Sequence, residues 1–139
     1  MSEFRINDRD GEGGLSILFD GSGEFWVELS GHGMTARQRV DAFMPHGGFD
    51  RMFKEMASAW RGWEGEKSWS NIDHALQLVC THDGLGHIQI AVELTVYRAA
   101  HQRMKRWRTT GDLVVESGQL DALAKDAAEF LDDGRLSGL

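Results

Sequence analysis

The chain has only one cysteine, one proline and one tyrosine among its 139 residues. With a single cysteine, Cys80, no intrachain disulfide can form, and a zinc site built from several thiolates is excluded. No run of about 18 apolar residues is present, which excludes a transmembrane helix and predicts no membrane partner. The first residues show no apolar signal-peptide core, so we expect a cytoplasmic protein.

The sequence also lacks the motifs that mark common active sites. It has no glycine-rich phosphate loop opening a helix, no serine elbow and no pair of histidines at helical spacing. In the predicted hairpin, His82 and His87 fall on opposite faces, so they cannot easily share a metal ion. Cys80 lies on the same face as His82, but a small buried thiol is the favoured interpretation. We therefore predict no catalytic residue, metal or cofactor, and an enzymatic role is disfavoured but left open.

What is present describes an ordinary folded protein. An apolar fraction of 41% with 27% charged residues is typical of a globular domain, and the length fits one domain spanning 1–139. The ends, 1–14 and 132–139, are expected to be flexible. The formal net charge of −7 disfavours nonspecific nucleic-acid binding by the whole surface.

Two segments have the pattern of β-hairpins with the same turn, Asp-Gly-x-Gly. Strands at 15–20 and 24–29 flank 21–23, and strands at 74–83 and 87–96 flank 84–86. A three-residue loop ending in glycine fixes the register, which pairs Phe19 with Phe25 and Cys80 with Ile90. Alternation predicts further strands at 34–43 and 107–116, with Glu28 opposite Arg37.

Two segments have helical periodicity. Apolar residues from Phe49 through Trp60 and Trp63 lie on one helical face that ends near Gly62, and Ser117 is expected to cap a second helix that runs to about Leu131. These elements predict an α+β fold: a single antiparallel sheet of about six strands with two amphipathic helices packed on one face.

Three places on this fold are candidates for partner binding. Trp26 is expected on the outer sheet face near Arg37 and Arg39, a combination frequent at protein–protein hot spots. His87 lies on the polar face of the second hairpin, where a solvated sheet face is the competing interpretation. A run at 98–108, which contains His101, Arg103 and Arg106, carries basic residues without an acid and predicts a protruding loop.

Three of the five tryptophans fall between Trp60 and Trp69, where the helical pattern gives way to a strand pattern. Such a cluster either closes a core or builds a binding surface, because tryptophan is costly to expose. The core interpretation places Trp60 and Trp63 on the apolar stripe of the first helix. The alternative is a small-ligand pocket between sheet and helices, with Trp60, Trp63 and His82 near its mouth.

The segments Trp60–Trp69 and Thr81–His87, followed by a closing strand and the Gly118-Gln-Leu-Asp helix start, resemble a family of small actinobacterial proteins known as a domain of unknown function. The resemblance covers residues 15 to 131 and implies no activity. The order of elements is more loosely similar to that of WapI-type immunity proteins, which neutralise toxins by binding them. These observations together predict a single-domain binding protein, immunity-like, that neutralises a toxin-like protein partner by covering its surface. The alternatives are a small-ligand-binding protein or enzyme and, less favoured, a nucleic-acid contact through 98–108.

Overall fold

A computed structural model of the chain describes residues 3–44, 47–100 and 103–137. Within these residues the fold consists of two antiparallel four-stranded sheets and two α-helices. Sheet A contains β1 (Glu3–Asn7), β2 (Gly14–Phe19), β3 (Glu24–Gly31) and β4 (Met34–Asp41), in that order. Sheet B contains β5 (Lys67–Ser70), β6 (Leu76–His82), β7 (His87–Ala100) and β8 (Arg103–Glu116), also in chain order. Helix α1 spans Phe49–Ser58 and α2 spans Leu120–Ser137.

The predicted hairpin registers are confirmed. Phe19 pairs with Phe25 across β2 and β3, and Cys80 pairs with Ile90 across β6 and β7. Glu28 pairs with Arg37 across β3 and β4. Gly23 and Gly86, the last residues of the two three-residue loops, have φ values of 87° and 90°, the left-handed conformation that glycine adopts without strain.

The prediction of a single six-stranded sheet is wrong, although the α+β class is correct. The side-chain patterns did not predict β1 and β5, nor the separation of the strands into two sheets. Strand β1 lies within the segment 1–14 that we expected to be flexible, and it buries Phe4 and Ile6 completely. Only five residues long, it shows too short an alternation to stand out from a loop.

Both sheets and both helices contribute to one hydrophobic core. Phe4 of β1 lies 5.0 Å from Phe49 of α1 and 6.4 Å from Phe130 of α2, measured between ring centroids. The sheets meet where Gly111 of β8 packs against the side chain of Leu29. The side chain of Asn71, 2% exposed, donates to the carbonyl oxygen of Asp41 and accepts from the N–H of Leu76, tying the end of sheet A to the start of β6.

The helix boundaries differ from the prediction at three places. Helix α1 ends at Ser58, so Trp60 is not on its apolar stripe and is 52% exposed. A 3₁₀ turn at Ser117–Gln119 precedes α2, and the side chain of Gln119 accepts the N–H of Glu116, so Ser117 is not the cap that we predicted. Helix α2 continues to Ser137, into the segment 132–139 that we expected to be flexible.

In the described part of the chain, no helix combines the length and apolar character that crossing a bilayer requires.

Candidate functional site

The most prominent surface feature is a two-stranded ribbon that extends beyond the body of sheet B. Strands β7 and β8 stay paired to Ala100 and Arg103, whereas the pairing of β6 with β7 stops at Leu94. A last hydrogen bond joins the N–H of Thr95 to the carbonyl oxygen of Ala75. From Val96–Trp107 outward, five residue pairs therefore project without a third strand, over about 15 Å. We call residues 96–108, which include Arg108 at the base, the β7–β8 arm.

The prediction of a loop at 98–108 is thus wrong, because residues 98–100 and 103–108 continue two strands. The predicted strands ended near Val96 and began again at Trp107, because the alternation of apolar residues fades in between. That alternation reports burial on one face, and an arm in solvent has no buried face. His101, part of the predicted basic run, lies outside the described residues.

The arm exposes apolar side chains on both of its faces. Trp107 pairs with Val96 on the face that continues the core side of the sheet, and it is 76% exposed. Tyr97 and Met104 lie on the other face and are 49% and 66% exposed. The predicted last strand began at Trp107, but at this residue the strand has already left the core.

Five lysine and arginine residues and no acid lie between residues 97 and 108: Arg98, Arg103, Lys105, Arg106 and Arg108. With these five cations set aside, the formal net charge of −7 becomes −12 for the rest of the chain. At the base of the arm Arg108 approaches Glu93 at 3.9 Å. Farther out, no ion pair is found within the described residues, so the arm is a cationic element on an acidic protein.

Trp26, Arg37 and Arg39 come together on the outer face of sheet A, where the sequence placed them. The guanidinium carbons of Arg37 and Arg39 lie 4.3 Å and 4.8 Å from the centroid of the Trp26 ring. Arg39 also pairs with Asp20 at 3.3 Å, and hydrogen bonds from Ser22 hold the pKa of Asp20 below its ordinary value. The two arginines cover the Trp26 ring, so much of its surface is already engaged within the sheet.

His87 lies at the opposite end of β7 from the arm, so it does not share a surface with Arg103 and Arg106. Its Nδ1 is 2.7 Å from Oδ2 of Asp83, and its Nε2 is 3.5 Å from Glu116. The N–H of Leu85 donates to Oδ1 of Asp83 at 2.6 Å. This bond and the contacts with His87 lower the pKa of Asp83 to about 2. The group therefore organises the β6–β7 turn.

Among the described residues, Trp60 and His82 line two different clefts. His82 accepts the N–H of Gly84 at Nδ1 and lies with Nε2 3.0 Å from the carbonyl oxygen of Trp60, which assigns the proton to Nε2. The ring of Trp63 packs against His82 edge-on, with centroids 5.1 Å apart. Both polar atoms of His82 are occupied, so His82 fastens the segment after α1 to the end of β6.

Two shallow clefts lie near these residues. One, of about 220 Å³, lies between the end of α1 and the start of α2 and is lined by Ala57, Trp60, Ser117, Gly118, Leu120 and Asp121. It is smaller than typical small-molecule pockets but has room for a large side chain. The other, of about 340 Å³, lies on the outer face of sheet B and is lined in part by Arg9, Asp83 and His87. Its charged groups already have partners, because Arg9 contacts Glu116 at 3.4 Å and Asp83 contacts His87 at 2.7 Å.

Cys80 is buried, as predicted, and burial raises the pKa of its thiol to about 12. A thiol in this state is not a nucleophile at neutral pH. Among the described residues, no group of three or more histidine, cysteine, aspartate or glutamate side chains is arranged to hold a metal ion.

Tyr97, Met104 and Trp107 were not among the predicted functional residues. A signal was available in the sequence, because these apolar residues are interspersed among lysine and arginine residues, a pattern that indicates an exposed segment rather than a core.

The model of a family of unknown function, DUF6228, matches residues 19–134. No match was found among curated proteins or among solved structures.

Proposed function

The chain belongs to the DUF6228 family, and we propose that it is a binding protein that docks the β7–β8 arm into a cleft of a protein partner. The observation that carries this proposal is the exposure of Trp107, 76%, at the base of an arm that has five cations and no acid. Large apolar side chains in such a position are costly in a free monomer, and tryptophan with arginine dominates the energetics of protein interfaces.

The distribution of side chains over the two faces supports a cleft. Trp107 lies on one face of the arm, and Tyr97 and Met104 lie on the other. A flat surface would cover one face only, whereas a cleft with two walls would bury both. Cations lie beside these residues along the arm, so a complementary cleft has apolar walls with acidic groups next to them.

The same distribution argues against a nucleic-acid partner. Proteins that bind single strands stack successive bases on aromatic rings that line one surface. Tyr97 and Trp107 are on opposite faces, so they cannot stack neighbouring bases of one strand. Duplex binding depends on contacts to many phosphates, and the residues outside the arm carry a net charge of −12 once the five arm cations are set aside from −7.

An immunity-like role is the specific form of this proposal. A ribbon that fills the functional cleft of a toxin would neutralise it without chemistry, which suits a surface-binding inhibitor. We propose in the same way that the chain is similar to WapI-type immunity proteins, that it is of actinobacterial origin and that it is located in the cytoplasm. The sheet A group of Trp26, Arg37 and Arg39 is proposed as a secondary contact, because its arginines remain about half exposed.

Capture from native lysate, with neighbouring gene products included, tests the proposal. The wild-type chain is compared with an arm variant that carries Trp107→Ser and Arg106→Glu, and with a matched control, Met34→Ser. Met34 is 71% exposed on sheet A, so the control removes an exposed apolar residue elsewhere. We expect a protein that is retained by the wild type and the control, lost with the arm variant, and released by salt.

If the arm variant retained every protein that the wild type retains, the arm would not be the binding element and the proposal would fail. Enzymatic inhibition gives a second readout. A captured toxin should lose activity when mixed with the wild-type chain, and it should keep its activity with the arm variant.

A further inference from the structure

We propose that, in the absence of another partner, the β7–β8 arm docks on the opposite end of sheet B in a second copy of this chain, forming an antiparallel two-fold dimer. The inference rests on the proposed function only in treating the arm as a binding element. It adds that the binding partner of the arm can be a second copy of the same chain.

Charge is the first argument. The end of sheet B opposite the arm is where β6 ends, β7 begins and β8 ends, and acids outnumber lysine and arginine residues there. Its carboxylates belong to Glu64, Glu66, Asp83, Glu116 and Asp121. Its lysine and arginine residues are Arg9, Arg61 and Lys67. The chain thus places a cationic arm at one end of a sheet and an excess of negative charge at the other.

These charges cannot meet within one molecule. His87 and Ala100 are the two ends of β7, which spans roughly 40 Å at the rise of an extended strand. The Debye length at physiological ionic strength is about 8 Å, so the arm does not interact with the opposite end of its own sheet. Only a second molecule can bring the two together.

Exposed apolar groups coincide with the charges at both ends. The arm presents Tyr97, Met104 and Trp107, and the opposite end presents Trp60, 52% exposed, and Leu85, 81% exposed. Trp60 lines the cleft between α1 and α2, whose volume of about 220 Å³ can receive a large side chain, with Asp121 beside it. An aromatic side chain of the arm, with cations beside it, is complementary to this cleft, which is apolar and has the carboxylate of Asp121 in its lining.

The position of the two surfaces selects the symmetry. Because the arm and its proposed receptor lie at opposite ends of one sheet, two copies running antiparallel make both contacts at once, which closes the assembly as an isologous pair. A head-to-tail arrangement would leave one arm and one cleft free and would grow into an open filament.

Cross-linking between two surface cysteines tests this arrangement directly. We would make Met104→Cys on the arm and Leu85→Cys at the opposite end, which leaves Trp107 and Trp60 in place. The native Cys80 is buried and does not compete for a maleimide. A short bismaleimide is added to each variant alone and to a mixture of the two, and sedimentation velocity is measured in parallel at low and high salt.

We expect a covalent dimer in the mixture and none with either variant alone, because like ends lie far apart in an antiparallel pair. Reversing charge with Arg103→Glu and Arg106→Glu should weaken dimerisation about tenfold, and added salt should act in the same direction. Circular dichroism confirms that these variants, which lie outside the core, remain folded.

Two outcomes would overturn the inference. A covalent dimer from Met104→Cys alone would mean that two arms pair with each other. A monomer at every concentration and salt would mean that the second copy does not bind. If the chain is a monomer but its arm variants lose a captured partner, the dimer is ruled out and the proposed function stands. The failure of one proposal can therefore be distinguished from the failure of the other.

Discussion

At the scale of single residues, Asp83 in the β6–β7 turn links the stability of the fold to pH. Its carboxylate accepts the N–H of Leu85 and contacts the ring of His87, and its pKa lies at about 2 against an ordinary value of 3.8. Because the pKa is lower in the folded chain, the ionised carboxylate stabilises the fold. That contribution is complete above about pH 4 and is lost as the pH falls through about 2.

We therefore expect Asp83→Asn to reduce the dependence of stability on pH between about pH 4 and pH 2. Urea unfolding midpoints of the wild type and the variant, measured at a series of pH values, check this. Asp112→Asn, at an exposed position of β8, controls for the loss of one negative charge. Identical pH profiles for wild type and Asp83→Asn would show that the turn does not depend on this carboxylate.

At the scale of the structural element, the β7–β8 arm and β1 are opposites. Among the described residues, the long arm contributes no side chain to the core, whereas the short β1 places Phe4 and Ile6 in it. A chain in which residues 97–106 are replaced by an Asn-Gly turn should keep its free energy of unfolding within about 0.5 kcal/mol, because the described side chains of this segment are exposed.

The contrasting change is Phe4→Ala in β1. Phe4 is fully buried against Phe49 and Phe53, so its truncation should cost about 3–5 kcal/mol. Urea denaturation of both variants, at a concentration where the chain is monomeric, compares the two. A large loss of stability in the arm-shortened chain would contradict the description of the arm as an element outside the core.

Local patterns predicted several of these elements well. The two Asp-Gly-x-Gly turns and the alternation around them predicted the registers of β2 with β3 and of β6 with β7, because both depend on neighbouring residues only. The end of α1 was harder to predict. Trp60 and Trp63 continue its apolar period, but the chain leaves the helix at Ala59, and His82 holds the next segment by accepting the N–H of Gly84 and contacting the Trp60 carbonyl.

At the scale of the whole molecule, the junction of the two sheets depends on a glycine. A methyl group on Gly111 would lie 3.1 Å from Cδ2 of Leu29, a buried residue of sheet A. Gly111→Ala should therefore destabilise the fold by about 1–3 kcal/mol through overpacking.

Gly118→Ala is the matched control for this junction, since a methyl group there meets nothing within 4 Å. It should be neutral or slightly stabilising, because alanine restricts the unfolded chain. Thermal or urea unfolding distinguishes the two glycines. Equal effects of the two substitutions would show that Leu29 moves aside freely and that the sheets are not tightly packed at this point.

The sequence by itself determined the α+β class, the hairpin registers, the burial of Cys80 and the grouping of Trp26 with Arg37 and Arg39. Each of these follows from side-chain alternation or from a turn, which act over a few residues. Only the tertiary structure decided that the strands form two sheets, because alternation shows which face of a strand is apolar but not which edge finds a partner. It also decided the exposure of Trp107. A strand residue on the core-side face is buried only where the core reaches it, and at the β7–β8 arm the core has ended.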